Sequence, residues 1–129
     1  LTVAPVPVTH TLNHSFAGDL RATLSHAGTT VDLFNRPGPP SDDCQTDRKF
    51  SGNYRFMDAT TNNLESGSAT TIAARDYRAS TAGGAFVTLD AATPAGFAGQ
   101  AAAGAWTVVV SDFAAQDTGT FSSLRLELE

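Results

Sequence analysis

The chain has 129 residues and a mass of 13.4 kDa, a size that predicts one domain, residues 1–129, with a two-layer core. Eight Lys and Arg residues stand against 13 Asp and Glu residues, giving a formal net charge of −5. This balance argues against nucleic-acid binding, because phosphate neutralisation needs clustered basic side chains. The apolar runs are shorter than the roughly 18 residues of a membrane-spanning helix, so we expect no such segment.

The first half of the chain contains short runs of alternating apolar and polar residues, the pattern of half-buried strands. The run over residues 3–8 contains two prolines and predicts an edge strand, because proline cannot donate a ladder hydrogen bond. Residues 20–25 and 31–33 form the next two runs, and Ala27-Gly28-Thr29 between them predicts a hairpin. Residues 36–43 are rich in proline and aspartate and predict a loop.

The middle of the chain gives little support for a helix. Only residues 69–79 have a helix-forming composition, and their start, Thr70-Thr71-Ile72, suits a strand equally well. Phe56 and residues 85–89 are predicted to lie in strands, whereas residues 91–103 predict an irregular passage.

The last third of the chain has the clearest pattern. Trp106 and two valines alternate onto one face of residues 104–112, and three leucines do the same in residues 124–128. Asp117-Thr118-Gly119 between these runs predicts a turn. About eight short strands without a sustained helix predict an all-β fold, a β-sandwich with jelly-roll winding as one topology.

Motifs for hydrolysis are absent or incomplete. The chain contains neither a G-x-S-x-G nucleophile motif nor an H-E-x-x-H zinc motif. Asp117-Thr118-Gly119 spells the D-T-G of aspartic proteases, but those enzymes pair two carboxylates and this chain holds one copy. The preceding Ala114-Ala115-Gln116 is also unlike the hydrophobic strand that carries the motif in those enzymes. We therefore expect no catalytic residues in this chain.

The three histidines, His10, His14 and His26, raise the question of a zinc site. His10 and His14 share one face of a predicted strand about 13 Å apart, too far for one ion unless the chain bends at Asn13. The alternative is that these rings pack in the sheet or donate hydrogen bonds to the backbone near its edge.

Several short motifs follow one another in a distinctive order: Thr9-His10-Thr11, His14-Ser15-Phe16-Ala17-Gly18-Asp19-Leu20, Ala27-Gly28-Thr29, Phe56-Met57-Asp58, Pro94 with Phe97 and Gly99-Gln100, Gly104-x-Trp106 to Asp112, Gly119-Thr120-Phe121 and Leu124-x-Leu126. From about residue 8 to residue 129 this series resembles the P domain of subtilisin-like proprotein convertases such as kexin and furin. The series departs from the family pattern at Ala27, where proline is usual, and at Leu124, where an aromatic residue is common.

The resemblance implies a jelly-roll β-sandwich that has no active site of its own. It also implies a parent protease, of the serine or metallo type, that is secreted. The partner would be the protease catalytic domain in the same parent chain, which this domain would support in folding, in stability or in contact with a protein substrate. A single lysine, Lys49, beside abundant Ala, Thr, Ser and Gly is typical of secreted bacterial proteins, and the lone Cys44 cannot form an internal disulfide.

Calcium is the cofactor that the acidic residues favour, because Asp outnumbers Glu and supplies the oxygen ligands that calcium takes. Asp19, Asp58 and Asp112 stand at strand ends in positions that match the family pattern, and we expect them to converge at one end of the sandwich. Residues 42, 43 and 47 are a second aspartate cluster. The alternative is that Asp19 caps a turn and Asp112 accepts backbone N–H groups.

Two other functions remain open at this stage. A carbohydrate-binding jelly roll needs exposed aromatic rings, for which Tyr54, Tyr77 and Phe113 are the candidates. A stalk or adhesion module of a larger surface protein is the third alternative.

Overall fold

The structure is a computed structural model, and it describes residues 7–37, 48–64, 71–113 and 119–127. These ranges contain eight strands: β1 Val8–His14, β2 Leu20–His26, β3 Thr29–Asn35, β4 Lys49–Phe56, β5 Thr71–Ile72, β6 Asp76–Tyr77, β7 Trp106–Asp112 and β8 Gly119–Leu126. Two three-residue helical turns, Ala17–Asp19 and Ala82–Gly84, complete the regular structure. No helix in the described ranges has the length and hydropathy of a membrane span.

The strands form two sheets that pack face to face around one core. In the larger sheet β1 lies between β4 and β8 and is antiparallel to both, while β5 and β6 run parallel to β4 on its other side. The smaller sheet has the order β3-β2-β7, with antiparallel pairing throughout. The predicted all-β sandwich is therefore confirmed, and the jelly-roll winding stays a prediction.

The β2–β3 hairpin is confirmed where the sequence predicts it. His26 pairs with Thr29, so the loop consists of Ala27 and Gly28 alone. Both residues have positive φ angles, +48° and +85°, as a two-residue turn that matches the twist of its strands requires. Glycine adopts this backbone freely, whereas Ala27 adopts it at a steric cost.

One strand prediction is wrong, one lies mostly outside the described residues, and one open choice between helix and strand is decided. The edge strand predicted over residues 3–8 lies mostly outside the described residues, because residues 1–6 are not described. The first described strand, β1, begins at Val8 and lies in the middle of its sheet. Residues 85–89 make one isolated bridge, from Phe86 to Ser80, because this segment has no neighbouring strand along its length. Within residues 71–79 the strand alternative is the one observed, since Thr71–Ile72 form β5 and Asp76–Tyr77 form β6.

The final two strands are found, but β8 begins five residues before the run predicted at residues 124–128, and the two strands lie in different sheets. β7 pairs with β2, and β8 pairs with β1. Asp117 and Thr118, part of the turn predicted between them, are outside the described residues, and Gly119 is the first residue of β8. The alternation in Trp106, Val108 and Val110 is confirmed, since all three side chains pack against the core.

The core is closed on one side and open on the other. Fully buried side chains from the long passage between β4 and β7, among them Leu64 and Leu89, cover the side near β4, while Phe97 packs on Trp106 of β7 with 5.3 Å between ring centroids. On the opposite side β7 and β8 are the end strands of their sheets among the described strands. There Phe121 remains 36% exposed and Leu124 41% exposed, and Val108 and Val110 are only partly buried. We call these four residues the open side.

His10 is a fully buried histidine whose two ring nitrogens have no hydrogen-bond partner. Aromatic rings surround it: Phe56 lies 5.4 Å away between ring centroids, Phe121 5.2 Å and Phe34 6.4 Å. Burial lowers the pKa of His10 to about 4, because the apolar surroundings disfavour the charged ring. His10 therefore packs in the sheet, which is the alternative that the sequence left open beside a zinc site.

We expect His10 to make the stability of the domain dependent on pH. Between pH 6.5 and about 4 the unfolded chain binds a proton at this residue and the folded chain does not, so stability falls as the pH falls. The loss should reach about 3 kcal/mol over this window. Urea unfolding across the window measures it, with His10→Phe as the variant in which this part of the slope disappears. Equal slopes for the two proteins would contradict the assignment.

Gly119 lies where a larger residue has no room. It pairs with His14, and a Cβ on Gly119 would stand 2.6 Å from the His14 ring and would overlap the carbonyl oxygen of Asn13. The glycine that resembled part of a catalytic D-T-G motif is therefore explained by close approach of β8 to β1.

We expect Gly119→Ala to destabilise the domain by about 1–3 kcal/mol, because β8 must shift away from β1 to accept the methyl group. Thr120→Ala, at the exposed neighbouring position, is the control and should change stability by less than about 0.5 kcal/mol. Thermal unfolding of the two variants compares them, and equal stability would refute the packing argument.

Candidate functional site

Asp19 and Asp112 lie at the same end of the sandwich. Leu20, next to Asp19, pairs with Asp112 across β2 and β7. The N–H of Phe113 donates to the carbonyl oxygen of Asp19 at 2.8 Å, which extends this contact beyond the strand. Asp19 is buried and Asp112 has a side chain that is 35% exposed.

Asp58 lies at the opposite end. It follows β4, whose last residue, Phe56, pairs with Val8 at the start of β1, whereas Asp112 contacts His14 at the end of β1. The length of β1 separates these ends by about 20 Å. The Asp58 carboxylate accepts the N–H groups of Leu89 and Asp90 at 2.9 and 3.0 Å, so it caps the turn at these residues.

The structure therefore does not bring the three predicted calcium ligands into one coordination sphere. Within the described ranges no group of three or more His, Cys, Asp or Glu side chains is placed to hold a metal ion. The second predicted cluster, residues 42, 43 and 47, lies outside these ranges. Calcium binding stays a prediction, and it can draw on Asp19 and Asp112 but not on Asp58.

The histidines serve separate purposes instead of forming a zinc site. His10 packs among aromatic rings, and His14 contacts Asp112. His26 lies at the far end of β2, stacked on Trp106 with a ring-centroid distance of 3.8 Å. Its two nitrogens lie 2.8 Å from the carbonyl oxygens of Ala101 and Ala105, so the ring ties the passage before β7 to the hairpin.

The contact between His14 and Asp112 has a defined direction. The backbone N–H of Phe16 donates to Nδ1 of His14 at 3.0 Å, so Nδ1 carries a lone pair. The proton of the neutral ring is then on Nε2, which donates to Oδ2 of Asp112 at 2.9 Å. Since both ring nitrogens are engaged, His14 is not positioned as a general base for a neighbouring nucleophile.

This pair closes one end of a groove of about 180 Å³ between the two sheets. The groove has apolar walls and one polar end, and it lies between the end strands β7 and β8. Its lining residues are Leu12, His14, Leu20, Val110, Asp112, Gly119, Thr120 and Phe121. The sequence shows Asp112 at a strand end, but its meeting with His14 depends on pairing between distant strands and leaves no local signal.

Two of the three aromatic residues that the sequence offers for carbohydrate binding are buried. Tyr54 is fully buried and Tyr77 is 3% exposed, and their hydroxyl groups donate to the carbonyl oxygens of Ile72 and Ala73. Neither ring can stack on a sugar. Phe113 is exposed, with the guanidinium of Arg36 5.3 Å from its ring centroid.

Comparison with known proteins identifies a family for this fold. The family model described as "Proprotein convertase P-domain" matches residues 3–128, nearly the whole chain. No curated protein and no solved structure matches the chain. Because the family model covers both sheets from before β1 to after β8, the chain belongs to the proprotein convertase P-domain family.

Proposed function

We propose that this chain is the non-catalytic accessory domain of a secreted bacterial protease, and that it stabilises a catalytic domain, of the serine or metallo type, in the same polypeptide. Membership of the P-domain family over residues 3–128 supports the accessory role. The engagement of both His14 nitrogens supports it as well, because the one histidine–carboxylate pair seen in the described residues is used for structure.

The single observation that carries the proposed contact is the open side. Its four apolar side chains belong to β7 and β8, the end strands of the two sheets. A sandwich closed on this side would bury them. Apolar side chains left exposed at the edge of a sandwich are the composition of an interaction surface in a soluble protein. A catalytic domain that covered it would bury apolar area at about 25 cal/mol per Å² and so stabilise both domains.

We expect Leu124→Ser to lower the thermal inactivation midpoint of the protease in the polypeptide that joins this domain to its catalytic domain. The matched control is Val109→Ser, which changes an exposed aliphatic residue of β7 whose strand partner, Thr23, faces away from the core. Truncating a contact at the centre of an interface should cost about 1–3 kcal/mol. Equal inactivation midpoints for the two variants would rule out the open side as the contact.

Calcium is a separate proposal, confined to the end that holds Asp19 and Asp112. A cation held only by the folded domain raises the unfolding midpoint, by the equivalent of about 2.7 kcal/mol at a hundredfold excess over Kd. We expect added calcium to raise the midpoint relative to EDTA, Asp112→Asn to abolish this increase and Asp58→Asn to retain it. An unchanged midpoint of the unaltered domain with calcium and with EDTA would remove the proposal.

A further inference from the structure

His26, the last residue of β2, is buried between an aromatic ring and two carbonyl groups. Its ring lies parallel to the indole of Trp106, with an interplanar angle of 0° and 3.8 Å between the ring centroids. Nδ1 lies 2.8 Å from the carbonyl oxygen of Ala105, and Nε2 lies 2.8 Å from the carbonyl oxygen of Ala101. Each ring nitrogen therefore faces an atom that can only accept a hydrogen bond.

The two acceptors determine which protonation state of the ring fits this arrangement. A neutral imidazole has one N–H donor and one lone pair, so it can bond only one of the two carbonyl oxygens. The other oxygen would then face the lone pair of the second nitrogen at hydrogen-bond distance with no proton between them. A doubly protonated ring has a donor on each nitrogen and satisfies both oxygens. The geometry at His26 is therefore that of an imidazolium.

Trp106 provides the remaining contact that a buried cation needs. The face of a tryptophan ring is electrostatically negative and attracts a cation that lies over it. The indole is held in this position, because its Nε1 donates to the carbonyl oxygen of Ala102 at 3.0 Å and Phe97 packs on it with 5.3 Å between ring centroids. Burial of a charge is costly unless the charge is hydrogen-bonded, and here two carbonyl oxygens and the indole offset that cost.

The described segments that pack on His26 present no charged side chain to its ring. Residues 91–105 contain no Asp, Glu, Lys or Arg. β2 and β3 carry one charged residue each, Arg21 and Asp32, and these bond each other at an exposed position. The one charged residue of β7, Asp112, pairs with the start of β2, at the opposite end from His26. The charge on the ring therefore depends on the carbonyl groups and the indole.

Loss of one proton from the ring removes one of its two hydrogen bonds. Ala105 precedes Trp106, which pairs with His26 in the ladder between β2 and β7, so the carbonyl group of Ala105 is held in place. Ala101 lies outside the eight strands. We therefore expect the neutral ring to keep its bond to Ala105 and to lose its bond to Ala101.

We propose that His26 is a protonation switch for residues 101–105, which we call the β7 loop. The charged ring ties the β7 loop to β2 at both Ala101 and Ala105, and the neutral ring ties it at Ala105 alone. Histidine is the side chain whose charge ordinarily changes between about pH 5 and 8, so a change of the medium across this range operates the switch. The switch belongs to this domain alone and goes beyond the proposed support of a catalytic domain.

Fluorescence tests the switch directly, because Trp106 is the one tryptophan of the chain. A protonated imidazole in contact with an indole quenches its emission more strongly than a neutral one. We expect the emission to rise as the medium is taken from about pH 5 to about pH 9. His26→Phe keeps an aromatic ring but cannot bind a proton, so it should abolish this rise. The control, His10→Phe, removes a different buried histidine and should retain it.

Two results of this titration would overturn the proposal. One is emission that does not change with pH in the unaltered domain. The other is a change of equal size in the unaltered domain and in His26→Phe, because the titrating group would then lie elsewhere.

NMR of the unaltered domain tests the same switch without a variant that could fail to fold. With isotope-labelled histidine, the His26 ring is identified by its contacts with the indole of Trp106. It should carry a proton on each nitrogen at about pH 5 and on Nδ1 alone at about pH 9. The amide signal of Ala102, which shares a peptide group with the carbonyl of Ala101, should shift with the same midpoint. A single ring proton at the lower pH, two at the higher pH or an unmoved Ala102 amide would each overturn the proposal.

Discussion

The burial of one face of β1 is the constraint on which the rest of the structure depends. β1 pairs along its whole length with β4 and along most of it with β8, so its inner side chains are buried between the two sheets. Val8, His10, Leu12 and His14 all point into the core, and two of these four are histidines. The domain must therefore accommodate two polar rings in its central layer, and it does so in different ways.

The two histidines of β1 differ in their hydrogen bonding because they lie at different positions along the strand. His10 lies at the middle, where Phe34, Phe56 and Phe121 surround it, and its ring stays neutral at the cost of unmade hydrogen bonds. His14 lies at the end, where Phe16 and Asp112 bond both of its nitrogens. Neither ring is free to accept a proton from a substrate, which agrees with a family role in support of a protease.

The asymmetry between the two sides of the sandwich links this core to function. A long passage covers the side near β4 with Leu64 and Leu89, whereas β7 and β8 leave their inner face partly in solvent. The contact between His14 and Asp112 lies at this unsealed side and gives an otherwise apolar surface one oriented charge. A surface with that composition is suited to a specific and lasting contact with another domain.

The sequence by itself determined the local features. Alternation predicted the all-β class and the inner face of β7, turn chemistry predicted the hairpin at Ala27 and Gly28, and the ordered motifs predicted the family. Tertiary structure alone decided that β1 is central, that residues 85–89 pair with no strand, that Asp58 lies far from Asp112 and that Gly119 must lack a side chain. The physical reason is that alternation has a period of two residues and assigns faces, while neighbours and strand ends are set by pairing across dozens of residues.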